Sequence, residues 1–451
     1  MTRSMNAVDS SLRLRLLAIA LAGAGVLAQS STAQTTYATA QTYADVFGGS
    51  SFRGAIHQRR LLLREQVKFE EEHARFHLGP VRLLPTLAFG GIGYTNNVFG
   101  TASNPLPDWT ATVAAGVRYL LPLGPKLYLR GDVVPEYTWY REYVQLRNLG
   151  GLYSASLVGL FNRLTFSAKG ATWSRSEPLS SEQQQPYIHR TDGGGAELEI
   201  EFLRRLSAVG GYGVARTTYT EITGATSSVT SLDRTETAGF AGLRYRFHEY
   251  FSVAGLVEKK QADFVNDSTG RNNETTGYLL AVRYDQKRFY LSLLGGYVQA
   301  RPTGCSTFPD YNELAGSAYL SYFVSRRVEL QGWVDRAPVN SLYADNPYFI
   351  ETRVGGSVNV GVGQRTTLRG FVSAGSNRYP LPVEIQGGEV VTRQDDIVTW
   401  GGGFDFGLNR SLQLTVLAAE TKNTSNVPGS GYSTFRFTTG LSFRPTPTEN
   451  R

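Results

Sequence analysis

The chain has 451 residues, a net charge of +7 at neutral pH, one cysteine, and 49 Gly, 25 Tyr and 23 Phe against only 2 Met. One cysteine excludes an internal disulfide framework, and the wealth of strand-forming aromatics argues against a helical fold. Setting aside residues 1–33, with three Arg and one Asp, leaves +5, too weak a charge over the remaining chain to draw it to nucleic acid.

The first element is a signal peptide over residues 1–33. Arg13 and Arg15 precede an apolar stretch from Leu16 to Leu27, and small residues follow at Ser31-Thr32-Ala33, with cleavage after Ala28 or Ala33. The apolar stretch is too short for a spanning helix of about 20 residues. No cysteine follows it to carry a lipid. No later segment approaches a helical membrane span.

Residues 34–78 form a separate N-terminal segment, periplasmic or entering a pore. Its charged part, RGAIHQRRLLLREQVKFEEEHARF, predicts a short helix. His73 and His77 stand at i, i+4 spacing, which can hold a metal. Beside Glu70, Glu71 and Glu72 a solvated charged helix is the preferred reading, and no metal site is expected.

From residue 79 to 445 the dominant signal is period-two alternation. Ala196, Leu198, Ile200 and Phe202 oppose Glu197, Glu199 and Glu201, and Leu243, Tyr245 and Phe247 oppose Arg244 and Arg246. Short polar connectors centre near residues 123, 162, 204, 248, 286, 325, 363 and 409. Between them lie longer segments rich in Gly, Pro, Asn and Ser, including SEPLSSEQQQPY and YPLPVEIQGGEVVTRQ, read as external loops. Strand, short turn, strand and long loop repeating at about 40 residues is an up-and-down meander. The count is eighteen strands of about 12 to 16 residues, from about 81–94 to about 433–444. The expected fold is therefore all-β, a transmembrane antiparallel β-barrel of about 18 strands with a short C-terminal tail at 446–451.

A soluble propeller or sandwich would also alternate. Its strands would be shorter, and its dry core would not accept carboxylates and arginines in mid-strand. Aromatics gathered near strand ends suit an interfacial girdle. Eighteen strands enclose more space than their own side chains fill, so a wet lumen is expected. Its candidate lining is Arg130, Asp132, Glu136, Lys169, Glu197, Glu199, Glu201, Arg244, Arg246, Arg283, Glu329, Trp333, Asp335, Arg353, Arg369, Asp405 and Arg436. Such a wall suits hydrated cargo. Nothing local resembles a nucleophilic triad, a phosphate loop or a cofactor site, so no catalytic residue and no cofactor are expected.

One stretch carries a resemblance. HLGPVRLLPTLAFGGIGYTNNVFG is similar to the start of a family of outer-membrane β-barrel porins associated with exopolysaccharide export (Wzp-type barrels). The matching residues are Leu78, Gly79, Pro80, Pro85, Gly93, Tyr94, Asn96, Asn97, Val98 and Phe99. Where that family carries two acids, this chain has Thr95-Asn96. The resemblance implies an exit channel for a secreted polysaccharide, working with a periplasmic polysaccharide export protein. It would sit among outer-membrane lipid and lipopolysaccharide, and FRFTTGLSF resembles the C-terminal signal read by the barrel assembly machinery. The residues themselves leave other readings open: a diffusion porin for small solutes, or an adhesin or enzyme using the long loops.

Overall fold

The computed structural model describes residues 63–443 apart from 75, 221–228, 267–268, 304–307, 344, 386–387 and 410. The expected signal peptide, most of the N-terminal segment, Cys305 and the C-terminal tail lie outside the described residues. A helix, α1 (Leu63–His73), leads into a three-residue strand, β1 (Phe76–Leu78), that pairs with the start of β2 (Val81–Thr95). The helix therefore ends at His73, and His77 lies in a strand, so the two imidazoles do not share a helical face.

Every short connector closes a tight hairpin where the sequence puts it. The pairs are β3 (Asp108–Pro122) with β4 (Leu127–Tyr140), β5 (Asn148–Leu160) with β6 (Leu164–Ser180), and β7 (Gln183–Leu203) with β8 (Leu206–Tyr219). Next come β9 (Arg234–His248) with β10 (Phe251–Phe264), and β11 (Asn273–Asp285) with β12 (Phe289–Pro302). The last are β13 (Tyr311–Phe323) with β14 (Val328–Asn340), β15 (Tyr348–Val362) with β16 (Thr366–Glu384), and β17 (Val390–Gly407) with β18 (Leu412–Ser425). The final strand, β19 (Tyr432–Phe443), returns to β2 from Arg436 opposite Thr95 to Phe443 opposite Leu87. Strands β2 to β19 thus close an eighteen-membered antiparallel ring, each strand paired to both of its neighbours over at least part of its length.

The alternation is inside out relative to a soluble protein. In β7, Ala196, Leu198, Ile200 and Phe202 are exposed while Glu197, Glu199 and Glu201 are half-buried. The apolar face is the outer one, as contact with lipid requires. On that same face Arg190 and Asp192, exposed and joined at 2.9 Å, mark where the wall leaves the hydrocarbon. Trp109, Tyr137, Tyr278 and Tyr297 stand outward toward the loop end, and Tyr245, Phe247, Tyr322 and Phe443 toward the turn end. Two aromatic girdles bracket an apolar band.

Two expected loops are hairpins instead. YPLPVEIQGGEVVTRQ is largely taken up by the outer ends of β16 and β17, paired from Pro382 opposite Thr392 to Glu384 opposite Val390. SEPLSSEQQQPY forms the outer arms of β6 and β7, paired from Arg175 opposite His189 to Ser180 opposite Gln183. The ladder of β6 to β5 ends at Ser174, and that of β7 to β8 begins at His189 with one further bond from the Thr220 amide to the Ile188 carbonyl, so residues 175–187 form ladder pairs only within the hairpin. These arms are buried or half-buried among protein and have no lipid side to impose alternation, and Pro178 faces Pro186 where no third strand needs a donor. These strands reach 17 and 21 residues, beyond the expected range.

Candidate functional site

The outer arms of β6 and β7 form a strap. Six residues from Arg175 to Ser180 reach about 20 Å at the usual strand rise. Near its root the strap packs on its neighbours, Tyr187 meeting Tyr219, Val229 and Leu232, but its tip ends on β15 and β16, which stand nine strands away in the ring of eighteen. Ser181 Oγ donates to Glu351 Oε1 at 2.7 Å and lies 3.1 Å from Asn377 Oδ1. Gln184 Nε2 donates to the Tyr432 hydroxyl at 3.2 Å, which donates to the Ser181 carbonyl at 3.1 Å. The strap crosses the mouth and is fastened on the far side.

Its tip is a two-residue turn, Ser181-Glu182, and neither residue has the positive φ that such turns usually need. The turn is held from outside. Glu182, 1% exposed, accepts from Ser341 Oγ at 2.7 Å and from the Leu342 amide at 2.8 Å. Burial pushes its carboxyl above the ordinary range, against the pull of these hydrogen bonds and of Arg393. Gln183 donates to the Tyr343 hydroxyl at 3.1 Å, and the Arg393 guanidinium lies between the Tyr343 and Tyr379 rings. Asp395 neutralises Arg393 at 2.8 Å.

The receiving surface also leans inward. Within β15, Glu351 and Arg353 share one face and Tyr348 and Ile350 the other. Tyr348 and Ile350 pack on Leu279, Leu294, Val298 and Tyr311, whose strands form the neighbouring wall. The outer ends of β14 and β15 therefore bend into the lumen as a tongue that meets the strap.

At the opposite end of the barrel α1 lies against the inner wall. Val67, 1% exposed, packs on Leu120, Tyr128, Val158 and Leu160, all beside the short turns. Arg130 reaches Glu70 at 2.5 Å and Gln66 at 2.9 Å, with Arg118 a further 3.6 Å from Glu70. Burial raises the Glu70 carboxyl above its ordinary range, partly offset by Arg130 and Arg118. Arg82 binds Glu71 at 3.0 Å.

Most candidate lining charges are paired. Arg118 meets Asp132 at 2.8 Å, Arg244 meets Glu199 at 2.8 Å, Arg246 lies 3.6 Å from Glu199 and 3.8 Å from Glu201, and Arg283 meets Asp285 at 2.8 Å. Arg353 meets Glu351 at 3.0 Å, Arg175 lies 3.6 Å from Glu136, and Arg369 pairs with Asp405. Glu329 accepts from Ser321 and Asn359. Lys169, Glu197, Trp333 and Asp335 also have partners, and Trp333 lies over Gly355. Arg436 is half-buried on β19, four residues beyond the Tyr432 that holds the strap. The list omits the strap and its seat, Ser181, Glu182, Gln184, Tyr343, Tyr379 and Tyr432, whose only sequence signal is a surplus of Tyr in loop-like segments.

The motif GYTNNVFG seals the closing seam and touches the strap. Asn96 Oδ1 accepts from the Phe435 amide at 2.8 Å, extending the β2–β19 ladder by a side chain. Asn97 is buried and donates to the carbonyls of Thr101 and Ser433. Val98 packs on Tyr140 and Leu146, and Tyr94 leans on Trp109 with ring centres 5.3 Å apart. Gly93 has Thr438 close at its Cβ position. Pro85 sits within β2 opposite Val117. Gly100, at φ +61°, presses on Gln184: a Cβ there would come within 2.7 Å of the Gln184 side chain.

A closed ring, an apolar outer band and polar inner strand faces decide the setting. This is an outer-membrane β-barrel of porin architecture, set in the outer membrane of a Gram-negative envelope. No family model matches the chain, and no curated protein matches it. Solved structures do. OpdK from Pseudomonas aeruginosa has 12% identity and a TM-score of 0.49 over 80% of this chain and 98% of its own. A BenF-like porin from Pseudomonas fluorescens Pf-5 has 12% identity and 0.48 over 82% and 100%. Pseudomonas aeruginosa OccK2 in complex with glucuronate has 14% identity and 0.46 over 81% and 98%. At these values the likeness is one of barrel and carries nothing about cargo.

Proposed function

We propose that this barrel is a diffusion porin for small hydrophilic solutes. The observation that carries this reading is the strap fastened across the mouth, with Ser181 on Glu351 half-way around the ring. Together with α1 at the other end, it narrows the axial route from both sides, which favours small solutes over an extended chain. An extended polymer would have to displace both. The candidate lining residues supply a wetted wall whose charges are largely neutralised in pairs, so the route discriminates weakly by sign and suits neutral, hydrogen-bonding solutes. Lipid and lipopolysaccharide contact the outer band, and the barrel assembly machinery inserts the chain.

Polysaccharide exit, implied by the motif resemblance, is the second reading. It is favoured by the way the strap is held: hydrogen bonds at its tip, which a periplasmic export protein pushing a chain through could break. Swelling of liposomes carrying the purified full-length protein separates the two. Entry of mono- and disaccharides with exclusion of dextran is expected. Passage of dextran, or no entry of any sugar, would overturn the diffusion reading.

A further inference from the structure

The wall has a parted seam. The β13–β14 ladder runs from Phe323 opposite Glu329 to Gly316 opposite Arg336 and stops. Beyond it, residues 312–315 and 337–340 have no ladder partner across the gap, although β13 stays paired to β12 and β14 to β15. The gap opens at membrane level. Leu314, 69% exposed, stands in register with Tyr297, which is opposite Tyr278, both outward residues of the loop-end girdle. Unpaired backbone at that depth is costly unless something satisfies it.

One side chain spans the parting. Arg336 donates from Nε to the Leu314 carbonyl at 3.2 Å and from Nη1 to Thr352 Oγ1 at 3.1 Å, and its Nη2 pairs with Glu313. It bonds both sides of the gap as a removable substitute for the ladder. On the lumen side the seam adjoins the apolar patch of Leu279, Leu294, Val298, Ala300 and Tyr311, covered by Tyr348 of the tongue. Other apolar clusters line the interior, such as Leu152 with Trp173 and Phe371 with Leu417, but this strip leads to a gap in the wall at girdle height.

We propose that the β13–β14 seam is a lateral portal, latched by Arg336, through which small apolar or amphipathic molecules pass between the lumen and the outer leaflet. The molecule enters at the mouth, follows the strip as the tongue lifts from it, and leaves sideways into lipid. This adds a route for apolar solutes to the axial route for hydrophilic ones and does not depend on it.

The test uses full-length protein in a porin-deficient Gram-negative host, with N-phenylnaphthylamine as the apolar probe and lactose as the hydrophilic one. Arg336→Ala is expected to raise the rate of dye entry about tenfold, equivalent to about 1.4 kcal/mol of lost latch, and to leave lactose entry unchanged. Arg336→Lys, which keeps the charge but loses the fork, should fall between. Dye entry unchanged in Arg336→Ala would overturn the proposal, as would dye and lactose rising together, which would mean a loosened mouth. Should Arg336→Ala fail to show the heat-dependent electrophoretic shift of a folded barrel, Thr352→Val gives the reading. Thr352 only orients the guanidinium from the same side of the gap, so Glu313→Gln, which removes the charged partner across it, is read with it, and no rise in dye entry in Glu313→Gln would equally sink the portal.

Discussion

Ser181 and Glu351 meet at 2.7 Å although their strands stand half a ring apart. A hydroxyl donating to a carboxylate is worth about 1.5–3 kcal/mol, and this one bears directly on whether the strap is fastened. Ser181→Ala should loosen the tip without disturbing the wall. Planar-bilayer recordings are expected to show a larger open level or more frequent full openings. Deleting residues 177–186 should give one large, steady conductance, and a deletion variant that conducts like the wild type would show that the strap does not restrict flow.

Glu182 makes the fastening sensitive to pH. Released into water, its carboxyl titrates near about 4.3; docked, burial holds it higher. The docked strap therefore binds a proton more tightly than the free one. Docking is strongest below the free value and weakens as pH rises through the docked value. Conductance should fall as pH is lowered from about 7 to about 4. Glu182→Gln, which is neutral throughout, should flatten the profile near its acid limit. A conductance that rises in acid would contradict the assignment.

At the other end, Glu70 and Arg130 hold α1 inside the barrel. Removing one partner of a buried ion pair costs about 3–5 kcal/mol because the other is left uncompensated. Arg130→Ala should free the helix, seen as rapid protease cleavage within residues 63–73 with the barrel intact. Replacing both residues together, Glu70→Leu with Arg130→Met, should restore protection. Wild-type protection in both variants would mean that the apolar contacts of Val67 hold the helix alone.

Gly100 tests the link between the first external loop and the strap. A side chain there meets Gln184 and must also accept φ +61°. Gly100→Ala should cost about 1–2 kcal/mol of local stability and push the strap from its seat, raising hydrogen exchange across residues 176–187. Gly363→Ala, at φ +70° with open space around it, supplies the strain without the collision. Exchange at the strap should not change there.

The wall was legible because lipid on one side and water on the other force period two, and because the short turns are punctuated by polar residues. All eight connectors, from Pro122–Leu127 to Gly407–Leu412, fall where the spacing puts them. The strap was not legible. With protein and no lipid around it, 175–188 has no alternation to read, and Pro178, Pro186 and three successive glutamines look like loop. Its turn carries no Gly or Asn because Ser341, Leu342 and Glu351, all more than 150 residues away in sequence, shape it. The inward bend of β14 and β15 escaped for a related reason: Tyr348 and Ile350 keep their parity, but the surface they meet is protein instead of lipid.

The strap is rooted in the wall at Ser174 and His189 and fastened at Ser181 to the wall opposite. A beam supported at both ends cannot sway by degrees. It stays down until the distal support fails, then becomes a cantilever free beyond the contacts of Arg175 and Tyr187 near its root. Current through such a mouth should step between discrete levels, with dwell times set by one small cluster of hydrogen bonds.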